Sequence, residues 1–224
     1  MKNIILKTTL LFVSFLTFAQ NNESNCNYND SIFKLFHSEM TFDVQKYKVE
    51  TMSGYDKILV DNANYKSSFF KTNDRIGYNQ VNKNINIDKT IYYYFNGKVE
   101  RINFYYQPYE GGGNTAIGTS TIFNPDGSVQ EIYDYDKGYK ICYDEAITIV
   151  KQIIGEKRIK TYELQFSVGR VDLNKFTDSN AEWYVGVRGN DKFYKKNKKS
   201  HLITYVMHGV TGKFITKRIN RIVP

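Results

Sequence analysis

"TIYYYFNGKVERINFYY", residues 90–106, decides how the middle of this chain folds. Asn96-Gly97 stands between two runs of Tyr, Phe, Ile and Val. Aromatic and β-branched residues suit a pleated, half-buried surface. Asn-Gly supplies the positive φ that both central positions of a type I′ turn require, so the stretch predicts a tight β-hairpin. A second hairpin is predicted about 30 residues on, in "STIFNPDGSVQEIYDYD", residues 120–136, hinged at Pro125-Asp126-Gly127. The two read as successive hairpins of one meander, since two units do not make a repeat array. Between them lies "YEGGGNTAIG", residues 109–118. No Gly-Lys-Ser/Thr follows and no helix begins there, so it reads as a connecting loop and not a phosphate cradle.

Composition agrees with strands. The 224 residues include 19 Tyr and 15 Phe but only one Trp and three Pro. The stretch from Val44 to Phe70 alternates loosely, with Gly54 at a turn. "SIFKLFHSEM", from Ser31, places Ile32, Leu35, Phe36 and Met40 on one helical face and predicts a short amphipathic helix capped by Asp30 or Ser31. "YDEAITIVKQIIGEKR", from Tyr143, predicts a longer one. Asp144 is its expected N-cap, Ala146, Ile147, Val150, Ile153 and Ile154 its apolar stripe, and Gly155 its end. Strands are expected after it at 161–168, 181–189, 201–208 and 213–223.

The first 19 residues carry Lys2 and Lys7, an apolar run from Leu10 to Phe18, and then Ala19-Gln20. That is the pattern of a secretory signal peptide, with cleavage expected after Ala19. The "FAQ" ending resembles that of exported proteins of the Bacteroidetes. The apolar run is shorter than the roughly 20 residues that span a bilayer as a helix, and no other segment qualifies, so the mature chain is expected to lack a transmembrane segment. Cys26 lacks a preceding Leu-Ala-Gly, so no lipid anchor is expected. In an exported chain the two cysteines, Cys26 and Cys142, are compatible with one disulfide. No Cys-x-x-Cys pair supports a zinc ribbon or a thioredoxin-like centre.

Charge divides the chain. Gln20–Val150 holds 13 Lys and Arg against 17 Asp and Glu; Lys151–Pro224 holds 16 against 6. "KFYKKNKKS", residues 192–200, is the densest part: Lys192, Lys195, Lys196, Lys198 and Lys199 surround two aromatics. Lys217, Arg218 and Arg221 follow. The expectation is one electropositive face, offered on an exposed loop, for an acidic partner protein or an anionic envelope component. Nucleic acid is the least expected partner of an exported chain.

No cluster specifies a reaction. His37, His201 and His208 show no metal-ligand spacing, and His201 and His208, seven apart in one strand, should face opposite sides. No Ser lies in a Gly-x-Ser-x-Gly elbow. Asp134 and Asp136 should share a strand face beside Glu131 and are the candidates for acid–base work. No metal and no cofactor is expected.

The last third adds a resemblance. Ala146-Ile147 opens a helix, Gly155 follows it, "EWYVGVR" forms a middle strand, and "YVMHGVTGKFI" closes as a hairpin. This order resembles the PepSY family of small exported or membrane-attached domains. The family often has Asp where His208 stands, and Pro where Ile154 stands. The resemblance implies a non-catalytic domain that binds or restrains peptidases. Together these readings predict an α+β protein: a signal peptide over 1–19, an antiparallel β-rich region over 20–140, and a PepSY-like helix-plus-sheet module over 141–224. The expected function is an exported binding module that restrains a peptidase or neutralises a toxin. The alternative is an envelope hydrolase using Asp134 and Asp136.

Overall fold

The computed structural model describes residues 28–48, 57–108, 114–176, 179–196 and 202–220. The predicted signal peptide, Cys26, Gly54, His201, Lys198, Lys199 and Arg221 lie outside these. Strands β1 (Lys57–Asp61), β2 (Tyr65–Lys71), β3 (Ile76–Asn82), β4 (Ile87–Tyr93), β5 (Val99–Tyr106), β6 (Thr115–Phe123) and β7 (Val129–Asp134) form a seven-stranded antiparallel sheet in chain order. Helices α1 (Tyr143–Ile154) and α2 (Glu156–Tyr162) lead to β8 (Gln165–Arg170) and β9 (Glu182–Arg188). After α3 (Asp191–Lys196), β10 (Leu202–His208) and β11 (Phe214–Asn220) complete a four-stranded antiparallel sheet, ordered β11-β10-β9-β8.

This corrects the α+β expectation. The chain is a β-rich fold of two antiparallel sheets. The three α-helices among the described residues, of 12, 7 and 6 residues, are too short to build a layer. α1 does lie against β8 and β9, and its Ala146, Ile147, Val150 and Ile154 are buried there. A single strong amphipathic signal was outweighed by eleven weaker strand signals.

The turn at residues 94–98 is wider than type I′. Gly97 donates to the Tyr94 carbonyl at 2.8 Å and Tyr94 to the Lys98 carbonyl at 2.9 Å. Of the Asn-Gly pair only Gly97 has positive φ, at 82°, and the ladder slips by a bulge at Tyr92/Tyr93. Its carbonyl accepts the Phe42 N–H at 2.7 Å, so the glycine also anchors the N-terminal segment. The second hairpin turns at Asn124–Ser128, with Gly127 at φ 96°.

"SIFKLFHSEM" is not an α-helix. It forms two single 3₁₀ turns, Ser31–Phe33 and His37–Glu39, with Lys34 and Phe36 extended. That break lets Phe33 reach Phe104 and lets Phe42 lie between Phe69 and Tyr93. One buried knot fixes the segment on the sheet. Lys89, fully buried, donates to Glu39 Oε2 at 2.5 Å and to the Lys34 carbonyl at 2.6 Å. Gln80 donates to Glu39 Oε1 at 2.6 Å.

The α1 N-cap is Cys142, not Asp144: Glu145 Oε2 reaches back to accept the Cys142 N–H at 2.9 Å, one half of a capping box. Gly155, at φ 85°, ends α1 as expected and redirects the chain into α2, whose last two residues take the first places of the strand expected from 161; that strand, β8, starts at Gln165. Glu156 sits at its favourable first turn.

Candidate functional site

The basic surface is built from α2, α3 and β11. "KFYKK" is not a loop but the short helix α3. Phe193 is its buried anchor, set against Tyr162 at the end of α2 (5.8 Å between ring centroids). The helix therefore turns Lys192, Lys195 and Lys196 outward. The Lys196 ammonium lies 5.6 Å from the Tyr162 ring. Lys217 lies 5.6 Å from the Tyr205 ring, and Arg158 of α2 acts on the same tyrosine by its charge. Both ammonium distances are within cation–π range. Tyr162 and Tyr205 are thus rings over which cations of α3 and β11 stand.

Lys217 and Arg218 do not share a face. Lys217 pairs with Tyr205 and Arg218 with Thr204, and adjacent strand residues point to opposite sides. Arg218 lies over Tyr184, 6.0 Å away on the other side of the sheet. Lys157, Arg158 and Lys160 of α2 belong to this surface and were not among the residues expected there; the signal that would have found them is the helix that continues past Gly155. Among the described residues no carboxylate forms an ion pair with any cation of α2, α3 or β11. β11 is also a sheet edge, and its Phe214, Ile215 and Ile219 are exposed.

The two candidate acids part company. β7 ends at Asp134, so Asp136 lies in the following turn and not on a shared strand face. Its carboxylate is fully occupied. Oδ1 is ion-paired with Arg170, and Oδ2 accepts the Tyr28 hydroxyl and, at 3.1 Å, the Gly118 N–H. Arg170 in turn donates to the Ala116 carbonyl at 2.7 Å. Its guanidinium sits 5.4–5.7 Å from the rings of Tyr135, Tyr139 and Trp183. Asp134 accepts the Asp136 N–H at 2.9 Å. This cluster joins β6, β7, β8, β9 and the N-terminal segment, which is a structural task. The adjoining cavity, about 570 Å³, is walled by Tyr28, Phe104, Asp136, Tyr139 and Cys142.

His208 holds a turn. Its Nδ1 accepts the N–H of Val210 at 3.2 Å and of Thr211 at 3.4 Å. This is the service an aspartate side chain gives in an Asx turn, at the position where the resemblance expects Asp. His37 is exposed. Cys142 is buried at the start of α1, and no cysteine among the described residues is free. Among the described residues no group of three or more His, Cys, Asp or Glu is gathered as metal ligands, and no helix is long and apolar enough to cross a membrane. Comparison with family models, with curated proteins and with solved structures returned no match.

Proposed function

We propose that this chain is an exported, non-catalytic binding protein of the cell envelope that docks an acidic partner protein on the α2–α3–β11 surface. One observation carries the reading: the cations there lack carboxylate partners among the described residues, whereas Lys83, Lys89 and Arg75 in the seven-stranded sheet are paired. Unpaired cations sum to a field that speeds association with an anionic surface. The exposed apolar residues of β11 give that partner something to bury once it arrives. The occupied carboxylate of Asp136 argues against the hydrolase alternative. Peptidase restraint, in keeping with the PepSY-like order of elements, or toxin neutralisation is the setting we infer.

Immobilised chain, exposed to native envelope extract, should capture a protein. The variant carrying Lys195→Glu, Lys196→Glu and Lys217→Glu should capture it more slowly, with a flatter salt dependence. Equal capture by that variant would overturn the reading. Export predicts a mature N-terminus at Gln20 by mass spectrometry; an intact Met1 would refute it. A Cys26–Cys142 bridge, also proposed, predicts that both thiols resist alkylation until reduced.

A further inference from the structure

The seven-stranded sheet has a second face. One face carries Phe69, Tyr93, Phe104 and Tyr106, covered by residues 28–48 and by Tyr143 of α1. The opposite face has an unusual floor. Register aligns Ser68 with Asn79, Asn79 with Thr90, Thr90 with Asn103, and Ser120 with Tyr133. Ser120 donates to Asn103 Oδ1 at 2.6 Å and closes the row. Six strands thus contribute one hydroxyl or amide each, in a line of roughly 24 Å at the usual strand spacing; the Tyr133 hydroxyl at its end is held by the Asp172 carboxylate at 2.8 Å, so the part open to a ligand ends at Ser120. Asn is a poor strand residue, and Ser68, Thr90, Asn103 and Ser120 are buried between the rows that flank them.

A parallel row runs beside it: Phe70, Gly77, Tyr92, Arg101, Ile122 and Glu131. Gly77 has no side chain, and a Cβ there would come 2.1 Å from Phe70 Cζ. The Phe70 ring therefore lies over the glycine, with Tyr92 edge-on to it at 6.2 Å. On the other flank are Val81, Asp88 and Tyr105. Two side-chain atoms among these residues are buried without a hydrogen-bond partner, Asn79 Oδ1 and Arg101 Nε. Such orphans cost about 1–3 kcal/mol each when nothing meets them. A cavity of about 210 Å³ opens beside Asn79, lined also by Ser68, Asp88, Gln107 and Asn114.

We propose that this face binds a neutral oligosaccharide laid across the strands along the Ser68–Ser120 row, independently of the basic surface. Sugar hydroxyls both donate and accept, so one ligand type can meet the Asn79 acceptor, the Asp88 carboxyl and the Arg101 donor. Phe70 and Tyr92 offer rings for the apolar faces of the sugars. The face carries Lys66 and Arg101 against Asp88 and Glu131, so it has no excess charge for a polyanion. It offers side chains rather than a strand edge, so an extended peptide would gain no ladder hydrogen bonds.

The probes are cello-, chito-, xylo- and manno-hexaose, titrated against the full chain by calorimetry, with a neutral Gly-Ser peptide as control. At least one sugar should bind saturably, and Tyr92→Ala should weaken it at least tenfold, with Thr90→Val as a second, isosteric variant that removes one floor hydroxyl. Thermal melts of both variants verify folding. No binding of any hexaose at millimolar concentration, equal binding by both folded variants, or binding of the peptide alone would overturn the proposal.

Discussion

The two sheets handle polar residues in opposite ways. In the seven-stranded sheet, Lys89 is held by Glu39 and Lys83 by Asp61, and the second face balances its few charges over a buried floor of Ser68, Thr90, Asn103 and Ser120. On α3 and β11 of the four-stranded half, cations stand on aromatic rings without ion-pair partners among the described residues, and β11 is an edge strand with exposed apolar residues. A paired, rigid polar floor suits recognition by hydrogen bonds at short range. Unpaired long cations suit attraction at a distance. The charge asymmetry of the sequence therefore marks two kinds of surface on one molecule.

The junction between the sheets is where the comparison is most easily broken. Arg170→Ala would leave the Asp136 carboxylate without its cation and open a gap between three aromatic rings. Removing one partner of a buried pair typically costs about 3–5 kcal/mol, and the Arg170 side chain is only 5% exposed. The expected result is a fall in unfolding free energy of that order, read from urea denaturation. Trp183, which lies against Arg170, should report the loss first, so its fluorescence transition should precede the far-ultraviolet one. A loss below about 1 kcal/mol, within the range of an exposed ion pair, would mean that the sheets hold together without this cluster.

A smaller effect sharpens the other side. Burial raises the Asp88 carboxyl to about 6, with the Thr90 hydroxyl opposing; its unfolded value is about 3.9. Between those values the folded state binds more protons than the unfolded one. Stability contributed by this site therefore falls as pH rises from about 4 to about 6. Asp88→Asn should remove that slope, raising stability at neutral pH by about 2–3 kcal/mol and leaving it unchanged below about pH 4. Urea midpoints across this range decide it. A variant less stable at neutral pH would show that the ionised carboxylate is favoured by its surroundings, contrary to the shift.

The strands and both hairpins were legible because aromatic and β-branched residues alternate and Gly97 and Gly127 punctuate them. The class was not, because the α1 stripe is a louder local signal than any one strand. α2 was hidden because Gly155 reads as a stop, although its positive φ only redirects the chain. "SIFKLFHSEM" has helical spacing, yet Lys89 pulls Glu39 and the Lys34 carbonyl to itself, and a continuous helix could not present both. That pairing spans 50 residues and leaves no trace in local pattern. The basic residues could be counted, but which face each takes depends on strand register. The polar row was invisible for the same reason: its six members come from six strands and align only when those strands pair.

The last prediction tests register through charge. If the acidic partner docks on the helix side of the four-stranded sheet, Lys217 and Arg218 are unequal although adjacent. Lys217 lies with Tyr205, Arg158 and α2; Arg218 lies with Tyr184 on the far side. Each single change to Glu should alter stability by no more than about 0.5 kcal/mol, as for most surface substitutions. Lys217→Glu should slow capture of the partner. Arg218→Glu should slow it less, because its charge acts through the sheet and through solvent, where screening over about 8–10 Å weakens it. Association rates at low salt give the contrast its greatest range. Equal slowing by the two variants would place the docking surface along the β11 edge itself, reached from both faces, instead of on the helix side.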